Sequence, residues 1–560
     1  MNTGKGLYTI GLDFGTLSGR ALLVDIGNGQ VMGEAMLDYP HGVLDSMLPS
    51  GVPVPRGWAF QHPQDYLDVL EYIVPTVIKQ SGVDPEKIIG VAVDFTGCTL
   101  ISLDEDGVPL CFLPEFADNP LSWVIHWKHH GAAPYKDEVQ AAVQLHNPSL
   151  LCRHGGKISD ECMMVKVLQV VREAPLLYEA TDLIMEAGDW MTMQLTGNLI
   201  RSQAMAGYKA FWQEKKGYPD KAFYRMLDER LEDFVETKLR GELRVIGEKA
   251  GELTAGMAKK LGLMPGIAVA VAHYDAHAAV VGSGISEPGK VMLTLGTSGG
   301  FVLAHDKDCA VQGTTGMTEN GDLPGLYGYA SGQFSLGDSF AWCVKNMIPE
   351  SCTKEAEKEG KNIQVYLSEK AARLAPGESG LLALDWLGGN RSVLVDAQLS
   401  CMMLGMTLQT KPEEIYRAFL ESVAFGTRRI MEAYLGAGIE ITEIHAVGGI
   451  VKKNPLLMQI YADVLNRHIC VCKTTQAAAL GAAMYAASAA GERAGGYATL
   501  KDAVEQMSEL EEYGYDPIPG HVAVYEKLYR EFERLHDYFG CENPVMKRLF
   551  AVRQQGLESG

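Results

Sequence analysis

The sequence predicts an α/β protein built from two related domains. Along its 560 residues, short runs rich in β-branched residues alternate with longer amphipathic runs, a pattern typical of strands joined by helices. A strand–Gly-Thr–strand pattern occurs twice, about half the chain apart, as expected of a duplicated domain. A chain of 560 residues is also longer than one hydrophobic core usually organises.

The two copies of this pattern place the expected domain boundary. The strands expected in them are Leu7–Leu12 and Gly19–Asp25 in the first copy, and Val291–Leu295 and Phe301–Ala304 in the second. The segment Gly282–Gly289, rich in residues that favour turns, comes just before the second copy, where a linker belongs. We therefore expect one domain over residues 1–285 and another over residues 286–560.

The same patterns predict further elements. The expected strands are Ile88–Asp94, Ile267–Ala272 and Glu443–Val447. The expected helices are Trp58–Gln80 (after His62-Pro63), Glu248–Leu261, Ala276–Val281, Glu413–Leu435 and Asn454–Leu465. The residues after Tyr538 are expected to form a loosely attached tail.

Composition and charge exclude several classes of protein. Apolar residues make up 47% of the chain and charged residues 21%, which is ordinary for a globular protein. The formal net charge of −21 argues against binding to nucleic acid or to an anionic membrane, because both need a basic surface. It does not exclude a phosphorylated ligand, since backbone N–H groups and a bound cation can hold phosphate.

The expected compartment is the cytoplasm. The eleven cysteines are an odd number, scattered along the chain without a Cys-x-x-Cys pair, which favours reduced thiols. Residues 1–6 lack the build of a signal peptide. The most apolar stretches fall short of the roughly 18 uninterrupted apolar residues that a membrane span needs, so we expect no membrane association.

The turn Asp13-Phe14-Gly15-Thr16 is a candidate phosphate site. The chain lacks a P-loop, a Gly-x-Gly-x-x-Gly after a strand and a His-Arg-Asp loop, so any nucleotide must be held in another way. Gly15 lets the backbone approach an anion, Thr16 can donate to phosphate oxygens, and Asp13 could hold hydrated Mg²⁺. The alternative is a simple hairpin with a structural aspartate. A second copy of this turn at Gly296–Gly300 favours the phosphate role, because two such hairpins could hold a triphosphate from both sides of a cleft.

Asp275 is the candidate proton acceptor. It lies at the carboxyl end of an apolar strand, the place where open α/β sheets bind ligands. A carboxylate there can accept the proton of a substrate hydroxyl that attacks phosphorus. Two alternatives stay open: His273, Asp275 and His277 could ligate a metal, or Asp275 could simply cap the following helix.

Two further segments could bind parts of a substrate. Gly448-Gly449, after an apolar strand, would let a flat ring lie against bare backbone, and Asn454 can cap the next helix or touch the ring. The alternative there is a tight strand-to-helix turn. The cluster Trp123–His130 offers an aromatic platform with a neighbouring Lys for a polyol, and its alternative is a surface amphipathic helix.

These segments together resemble the FGGY family of carbohydrate kinases, and within it the ribulokinases. The likeness spans nearly the whole chain. It is carried by Gly11–Arg20, Val93–Thr99, Trp123–His130, Gly155–Ser159, Ala206–Ala210, Val271–Ala279, Leu295–Ser298, Gly380–Trp386, Gly448-Gly449 and Lys453–Asp463. The resemblance implies two ribonuclease H-like domains of the actin-like ATPase superfamily around a central cleft. MgATP would bind mainly to the second domain and a sugar mainly to the first.

The resemblance also implies roles for single residues. Asp275 would be the general base at the sugar hydroxyl, and Asp13 would hold Mg²⁺ through water. The residues expected at the sugar are Thr96, Trp127, Lys209 and Asp275. The residues expected at ATP are Thr16, Arg20, Gly296, Thr297, Gly332, Gly448, Gly449 and Asn454, with Thr16 and Arg20 near the γ-phosphate.

The implied reaction is the ATP-dependent phosphorylation of a ketopentose, most simply of L-ribulose to L-ribulose 5-phosphate in arabinose catabolism. The implied partners are the sugar and ATP, and a homodimer is compatible with the family. One departure concerns the sugar: Ala330 stands where such enzymes tend to have Glu, a sugar contact. Alternatives are therefore a kinase for D-ribulose, ribitol or xylulose, or an actin- or chaperone-like ATPase.

Overall fold

Two mixed β-sheets organise the chain. The computed structural model describes residues 6–558; residues 1–5, where no signal peptide is expected, and residues 559–560 lie outside the described part. The strands of the first sheet all precede residue 275, and those of the second sheet all follow residue 289. We call the parts of the chain built on these sheets the first domain and the second domain.

The first domain contains thirteen strands and eleven α-helices among the described residues. Its strands are β1 (Tyr8–Phe14), β2 (Ser18–Asp25), β3 (Val31–Asp38), β4 (Phe60–Gln61), β5 (Ile88–Phe95), β6 (Leu100–Leu103), β7 (Val124–Ile125), β8 (Leu183–Glu186), β9 (Ile200–Ser202), β10 (Glu242–Arg244), β11 (Lys249–Glu252), β12 (Ala268–Ala270) and β13 (His273–Tyr274). Its helices are α1 (Pro63–Ser81), α2 (Lys136–His146), α3 (Pro148–Arg153), α4 (Met163–Glu173), α5 (Pro175–Ala180), α6 (Ala187–Thr196), α7 (Gln203–Lys209), α8 (Lys221–Leu227), α9 (Phe234–Lys238), α10 (Ala255–Leu261) and α11 (Asp275–Gly282).

The second domain and the segments after it follow the same alternation. The strands are β14 (Lys290–Leu295), β15 (Gly299–His305), β16 (Gly316–Glu319), β17 (Tyr327–Gln333), β18 (Leu382–Ala383), β19 (Met403–Leu404), β20 (Glu443–Val447), β21 (Ile469–Cys472) and β22 (Leu510–Tyr515). The helices are α12 (Leu336–Met347), α13 (Glu350–Lys358), α14 (Ile363–Ala371), α15 (Pro412–Gly436), α16 (Gly449–Lys453), α17 (Pro455–Leu465), α18 (Ala477–Ala490), α19 (Leu500–Met507), α20 (Pro519–Asp537) and α21 (Val545–Glu558).

The two main sheets share one topology. In the first sheet, the strand order is β3-β2-β1-β5-β12-β11. Strand β2 is antiparallel to both β1 and β3, whereas β5 is parallel to β1 and β12 is parallel to β5. In the second, the order β17-β15-β14-β20-β21 repeats this arrangement, with β14 antiparallel to β15 and parallel to β20. Three antiparallel strands followed by two parallel ones is the ribonuclease H-like arrangement. The predicted fold class, α/β with two such domains, is confirmed.

The helix expected within Trp58–Gln80, after His62-Pro63, is confirmed. The helix α1 starts at Pro63, whose fixed φ suits the first turn, and His62 caps it by accepting a hydrogen bond from the N–H of Gln64. Gly82, in the left-handed conformation, ends it. The residues before His62 instead contain the short strand β4.

The helix expected over Glu248–Leu261 is wrong for its first half. Lys249–Glu252 forms the edge strand β11, which pairs with β12. Thr254 then caps α10 by accepting a hydrogen bond from the N–H of Met257. Strand pairing with a distant segment overrode the local helical preference, and Thr254 fixes where the helix can start.

The loose tail expected after Tyr538 is wrong as well. The helix α21 covers Val545–Glu558, and the Met546 side chain is buried against the core of the second domain. The Lys547 ammonium lies 2.7 Å from the Asp396 carboxylate, so the segment is held by both an apolar and a charged contact.

The helix α18 ties the domains together. It follows β21 of the second domain but packs on β1 and β5 of the first domain and along α11. The contact is close. A Cβ atom on Gly11 would overlap the carbonyl oxygen of Ala479, and a Cβ atom on Gly481 would overlap that of Ala278. The Thr9 hydroxyl donates to the Ala483 carbonyl at 2.9 Å. Small residues on both sides therefore allow backbone-to-backbone packing where the domains join.

Nothing among the α-helices of residues 6–558 is both long enough and apolar enough to cross a membrane.

Candidate active site

Two adjoining cavities open between the domains. The larger one has a volume of about 450 Å³, within the range of roughly 300–1,000 Å³ that is typical of ligand sites. The smaller one has a volume of about 240 Å³. The residues that line both of them are Asp275, Ala276, Gly299, Gly300, Val302 and Arg391. Their shared wall marks the place where molecules bound in the two cavities would meet.

Asp275 lies in that shared wall. It is the first residue of α11, directly after β13, and its Oδ1 accepts a hydrogen bond from the Ala276 N–H at 2.6 Å. The cap position of α11 belongs to Tyr274, so the alternative of a plain helix cap does not describe Asp275. Burial, together with the nearby charge of Asp13, raises the pKa of Asp275 to about 7. A carboxyl group with such a pKa suits a general base near neutral pH.

Neighbouring strands bring two more carboxyl groups next to Asp275. In the sheet register, Asp13 on β1 lies beside Asp94 on β5 and opposite Arg20 on β2. The Arg20 Nε lies 3.5 Å from Asp13 Oδ2, and its Nη1 donates to Gln476 Oε1 at 2.9 Å. Asp13 and Arg20 both line the larger cavity, so both predicted residues lie beside Asp275.

Asp94 is the most deeply buried member of this cluster of carboxyl groups. Its side chain is fully buried, and burial with the charges of Asp13 and Asp275 raises its pKa well above the usual range. Asp94 is therefore harder to ionise than an exposed aspartate. Burial also raises the pKa of Asp13, which the Arg20 charge counteracts.

The alternating residues His273, Asp275 and His277 do not converge on one point. The two histidines lie with Asp322 of the second domain, and their candidate ligand atoms fall within 4.8 Å of one another. His277 Nδ1 lies 2.6 Å from Asp322 Oδ1, a hydrogen-bond distance, and the Tyr208 hydroxyl donates to the same carboxylate at 3.4 Å. Asp275 instead opens onto the two cavities.

The second Gly-Thr hairpin contributes to the cavity wall through its later residues. Ser298, Gly299 and Gly300 line the larger cavity. The carbonyl oxygens of Gly296 and Thr297, the two residues predicted to face ATP, accept hydrogen bonds from the Gly337 N–H at 3.0 Å. These two residues therefore shape the turn, and the cavity wall begins one residue later.

The Gly448–Asn454 segment divides in a similar way. Gly448 lines the larger cavity with a φ of 118°, and a Cβ there would overlap the carbonyl oxygen of Leu295. Gly449 is exposed at the start of α16. Asn454 caps α17, since its Oδ1 accepts a hydrogen bond from the Leu457 N–H at 3.1 Å, which is the structural alternative for this residue.

All four residues predicted at the sugar line the smaller cavity: Thr96, Trp127, Lys209 and Asp275. The indole Nε1 of Trp127 donates to the Thr16 hydroxyl at 3.1 Å, which places Thr16 in the wall of this cavity. Gly332, also predicted at ATP, lines the smaller cavity as well. The Lys209 ammonium lies 3.0 Å from Glu161.

The alternative of a surface amphipathic helix at Trp123–His130 is wrong. Val124–Ile125 forms the strand β7, which pairs with β4 and β6. His126 and His129 are fully buried, and burial lowers the pKa of both imidazoles. Strand pairing leaves Trp127 facing the smaller cavity, with the Lys128 ammonium 5.2 Å from the centre of its ring.

Sequence reasoning missed Glu161, Arg391 and Gln476 as cavity residues. Glu161 and Arg391 line the smaller cavity, and Arg391 and Gln476 the larger one. Glu161 follows the Gly155–Ser159 segment that carried part of the resemblance, and Arg391 follows a Gly-Gly turn, so both had a local signal. Ala330, the departure noted above, also lines the smaller cavity, where it presents a methyl group.

Comparison with known proteins identifies the family. The model of the N-terminal domain of the FGGY family of carbohydrate kinases matches residues 8–282, and that of its C-terminal domain matches residues 291–490. The chain belongs to the FGGY family of carbohydrate kinases. It is therefore an ATP-dependent sugar kinase, which sets aside the alternative of an actin- or chaperone-like ATPase.

Curated members of the FGGY family extend over nearly the full chain. A protein named ribulokinase from Halalkalibacterium halodurans is 50% identical over 548 residues, covering 98% of this chain and 97% of its own. Another ribulokinase, from Geobacillus thermodenitrificans, is 49% identical over 544 residues, covering 97% and 96%.

Solved structures of FGGY kinases share the fold at lower identity. Xylulose kinase from Rhodospirillum rubrum aligns with a TM-score of 0.79 at 23% identity, covering 96% of this chain and all of its own. Glycerol kinase from Plasmodium falciparum, solved with ADP, aligns with a TM-score of 0.74 at 17% identity, covering 95% and 99%.

Proposed function

We propose that this FGGY kinase transfers the γ-phosphoryl group of ATP to the C5 hydroxyl of L-ribulose, the first phosphorylation in arabinose catabolism. The observation that carries the proposal is the position of Asp275, a carboxylate with a pKa of about 7 in the wall shared by the two cavities. The likeness to ribulokinases at 48–50% identity over nearly the full chain supports ribulose as the substrate.

In this proposal ATP occupies the larger cavity. Ser298–Gly300 supply backbone next to Thr294, and Gly448 supplies bare backbone for the adenosine. Arg20 points its guanidinium into the same cavity, where it would pair with phosphate oxygens. We keep Asp13, Arg20 and Gly448 as nucleotide-side residues, and we assign Gly296, Thr297 and Asn454 to shaping the turns beside them.

The sugar occupies the smaller cavity in this proposal. Trp127 offers an apolar ring face, Thr96 offers a hydroxyl, and Lys209 offers an ammonium held by Glu161. Thr16 and Gly332 belong to the same wall, so we move both from the nucleotide to the sugar side. The hydroxyl to be phosphorylated would point toward Asp275.

The reaction then follows from the arrangement around Asp275. The carboxylate accepts the proton of the C5 hydroxyl while that oxygen forms a bond to the γ-phosphorus of ATP. The bond between this phosphorus and the β–γ bridging oxygen breaks, and ADP leaves with the electron pair. Enclosure between the domains aligns the two substrates and keeps out water that would otherwise hydrolyse ATP.

The residues around Asp13 fit a hydrated magnesium ion. Asp13 lines the larger cavity beside Asp275, and its pKa is raised by burial, as expected of a negative charge that its surroundings leave only partly compensated. Magnesium prefers one or two carboxylates together with phosphate oxygens and water. When bound, the ion would neutralise charge on the transferred phosphates. Arg20 holds Asp13 in place for this contact.

A related pentulose or polyol is the second candidate substrate. The methyl group of Ala330 lines the smaller cavity, where a carboxylate would otherwise bind a sugar hydroxyl. A site that loses one polar contact discriminates less strongly between sugars that differ in a hydroxyl. D-ribulose, ribitol and xylulose are therefore the competitors to L-ribulose.

We also propose a domain boundary near residue 286 and a cytoplasmic location. The two family matches end at residue 282 and begin at residue 291, on either side of the proposed boundary. All eleven cysteines lie in the described part of the chain and are unpaired, which suits a reducing compartment.

The test is a coupled assay of ADP release with L-ribulose, D-ribulose, ribitol, xylulose and glycerol at equal concentrations, with and without Mg²⁺. The proposal expects the highest kcat/KM for L-ribulose and Mg²⁺-dependent release in proportion to the sugar consumed. A higher kcat/KM for ribitol or xylulose would select the second candidate. Equal release without any sugar would overturn both.

A further inference from the structure

Arg391 stands out among the residues around the two cavities. Of the residues in the described part of the chain that line both cavities, Asp275 and Arg391 are the charged ones, and their charges are opposite. Asp275 comes from the first domain, whereas Arg391 comes from the loop after Trp386 in the second domain. A cation therefore faces the proposed base at the point where the two substrates would meet.

The present partner of Arg391 leaves its charge available. Its Nη2 lies 3.5 Å from Glu161 Oε1, across the cleft, while Glu161 Oε2 also pairs with the Lys209 ammonium at 3.0 Å. This group of three carries one positive charge in excess. A single carboxylate shared by two cations satisfies neither fully, so the guanidinium can exchange it for a phosphate, two of whose oxygens can accept its paired N–H donors.

The loop that carries Arg391 is held firmly from both domains. The backbone groups of Asn390 and Asp396 bond each other at 2.9 and 2.8 Å, and the Ser392 hydroxyl accepts from the Gly332 N–H at 3.2 Å. From the first domain, the Lys157 ammonium donates to the carbonyl oxygens of Leu394 and Val395 at 2.8 and 3.0 Å. The guanidinium itself lies 5.3 Å from the centre of the Phe334 ring. Its position is therefore prepared before any ligand binds.

We propose that Arg391 binds the terminal phosphoryl group of the nucleotide, opposite Asp275. This inference rests on the proposed function and adds a residue to it. The guanidinium would offset the negative charge that develops on the transferred oxygens, so it would recognise a triphosphate over a diphosphate. Lys157 and Glu161 would act as positioning residues that hold the Arg391 loop and side chain from the sugar side of the cleft.

The test compares the binding of AMP-PNP and of ADP, each with Mg²⁺, by isothermal titration calorimetry. In Arg391→Gln, we expect AMP-PNP to bind about 10- to 100-fold more weakly, the usual range for a lost charged hydrogen bond, while ADP binding stays within about twofold. Arg391→Lys should fall between, because it keeps the charge and loses the paired donors. Unchanged ADP binding also shows that the variants are folded.

Arg153→Gln is the matched control. Arg153 forms ion pairs with Asp308 and Glu319 across the same two domains, at 3.1 and 3.2 Å, but lies outside both cavity walls. It should leave both affinities unchanged. Equal losses for AMP-PNP and ADP in Arg391→Gln, or no loss for either, would overturn the inference. A wild-type protein that binds neither nucleotide would overturn the proposed function itself, which is a separate result.

Discussion

The two domains place different side chains at matching positions of the same sheet. On β1, Asp13 pairs with Arg20 on one side and Asp94 on the other. On β14, the corresponding residue Thr294 pairs with Gly300 and Val447. Thus the residues that lie side by side on three neighbouring strands are charged in the first domain, whereas the matching residues in the second domain are small or uncharged.

This difference explains how one fold serves two purposes. The first domain concentrates carboxylates, one of them with a pKa near 7, so it can move a proton. The second domain leaves space and exposed backbone, so a nucleotide can lie against it. Duplication supplied the shared strand order, and the two copies differ in the side chains that they place at this position of it.

Removing the base should have the largest effect on this contrast. Asp275→Asn is expected to lower kcat by about 10²- to 10⁴-fold, because an amide cannot accept the proton of the sugar hydroxyl. The coupled ADP-release assay measures this change, and ADP affinity should stay unchanged. Asp189→Asn is the matched control, since Asp189 also has a pKa of about 7 but is buried away from both cavity walls. A loss of less than tenfold in Asp275→Asn would contradict the assignment.

Disturbing the junction between the domains should cost stability. Gly481→Ala puts a Cβ where the Ala278 carbonyl oxygen lies, so α18 must move away from α11, at a cost of about 1–3 kcal/mol. The midpoint of thermal unfolding at a fixed scan rate should fall by several degrees. Gly436→Ala, at the end of α15 with open space around its Cβ, should leave the midpoint unchanged or raise it. Equal midpoints for the two variants would argue against tight packing of α18.

Adding a charge to the second domain should erase part of the contrast. Thr294→Asp places a carboxylate in the larger cavity at the position that matches Asp13, where it would face the phosphates of ATP. We expect ATP affinity to fall about 10- to 100-fold through like-charge repulsion, with little change in the KM of the sugar. Thr294→Ser is the control. An increase confined to the sugar KM would show that the nucleotide lies in the other cavity.

The pH dependence should reveal the raised pKa in the first domain. Asp275 must be ionised to accept a proton, so kcat/KM for the sugar should fall about tenfold per unit below pH 7 and level off above it. Asp189→Asn should keep this profile, because the Asp189 carboxyl group, whose pKa is also about 7, takes no part. A flat profile from pH 5 to pH 9 would mean that Asp275 has the ordinary acidity of an aspartate.

The sequence predicted the fold and the position of Asp275 at the end of a strand because both depend on local patterns. The repeated hairpins are adjacent in sequence, and Asp275 directly follows an apolar strand, so periodicity and turn residues were sufficient signals. The four sugar-side residues came from the resemblance and line one cavity. Strand β11 was missed because its partner lies in another segment, and a local helical pattern carries no information about that partner.

The cavity that the remaining residues line could not be inferred, because their positions depend on contacts with residues far away in sequence. Thr16 is the last residue of the Asp13–Thr16 turn, but it accepts a hydrogen bond from Trp127, more than a hundred residues away in sequence. Gln476 and Arg391 reach the cavities only because α18 and the loop after Trp386 pack against the first domain. Local sequence patterns do not show which distant segments come into contact across a cleft.

The central claim is that Asp275 meets a sugar hydroxyl beside the terminal phosphate of ATP. A crystal structure of the wild-type protein with AMP-PNP, Mg²⁺ and L-ribulose tests it most directly. The account predicts the C5 hydroxyl oxygen within about 2.6–3.2 Å of the Asp275 carboxylate, with the γ-phosphorus on its far side in the larger cavity. A nucleotide bound beside Trp127, or a sugar with no hydroxyl near Asp275, would contradict it.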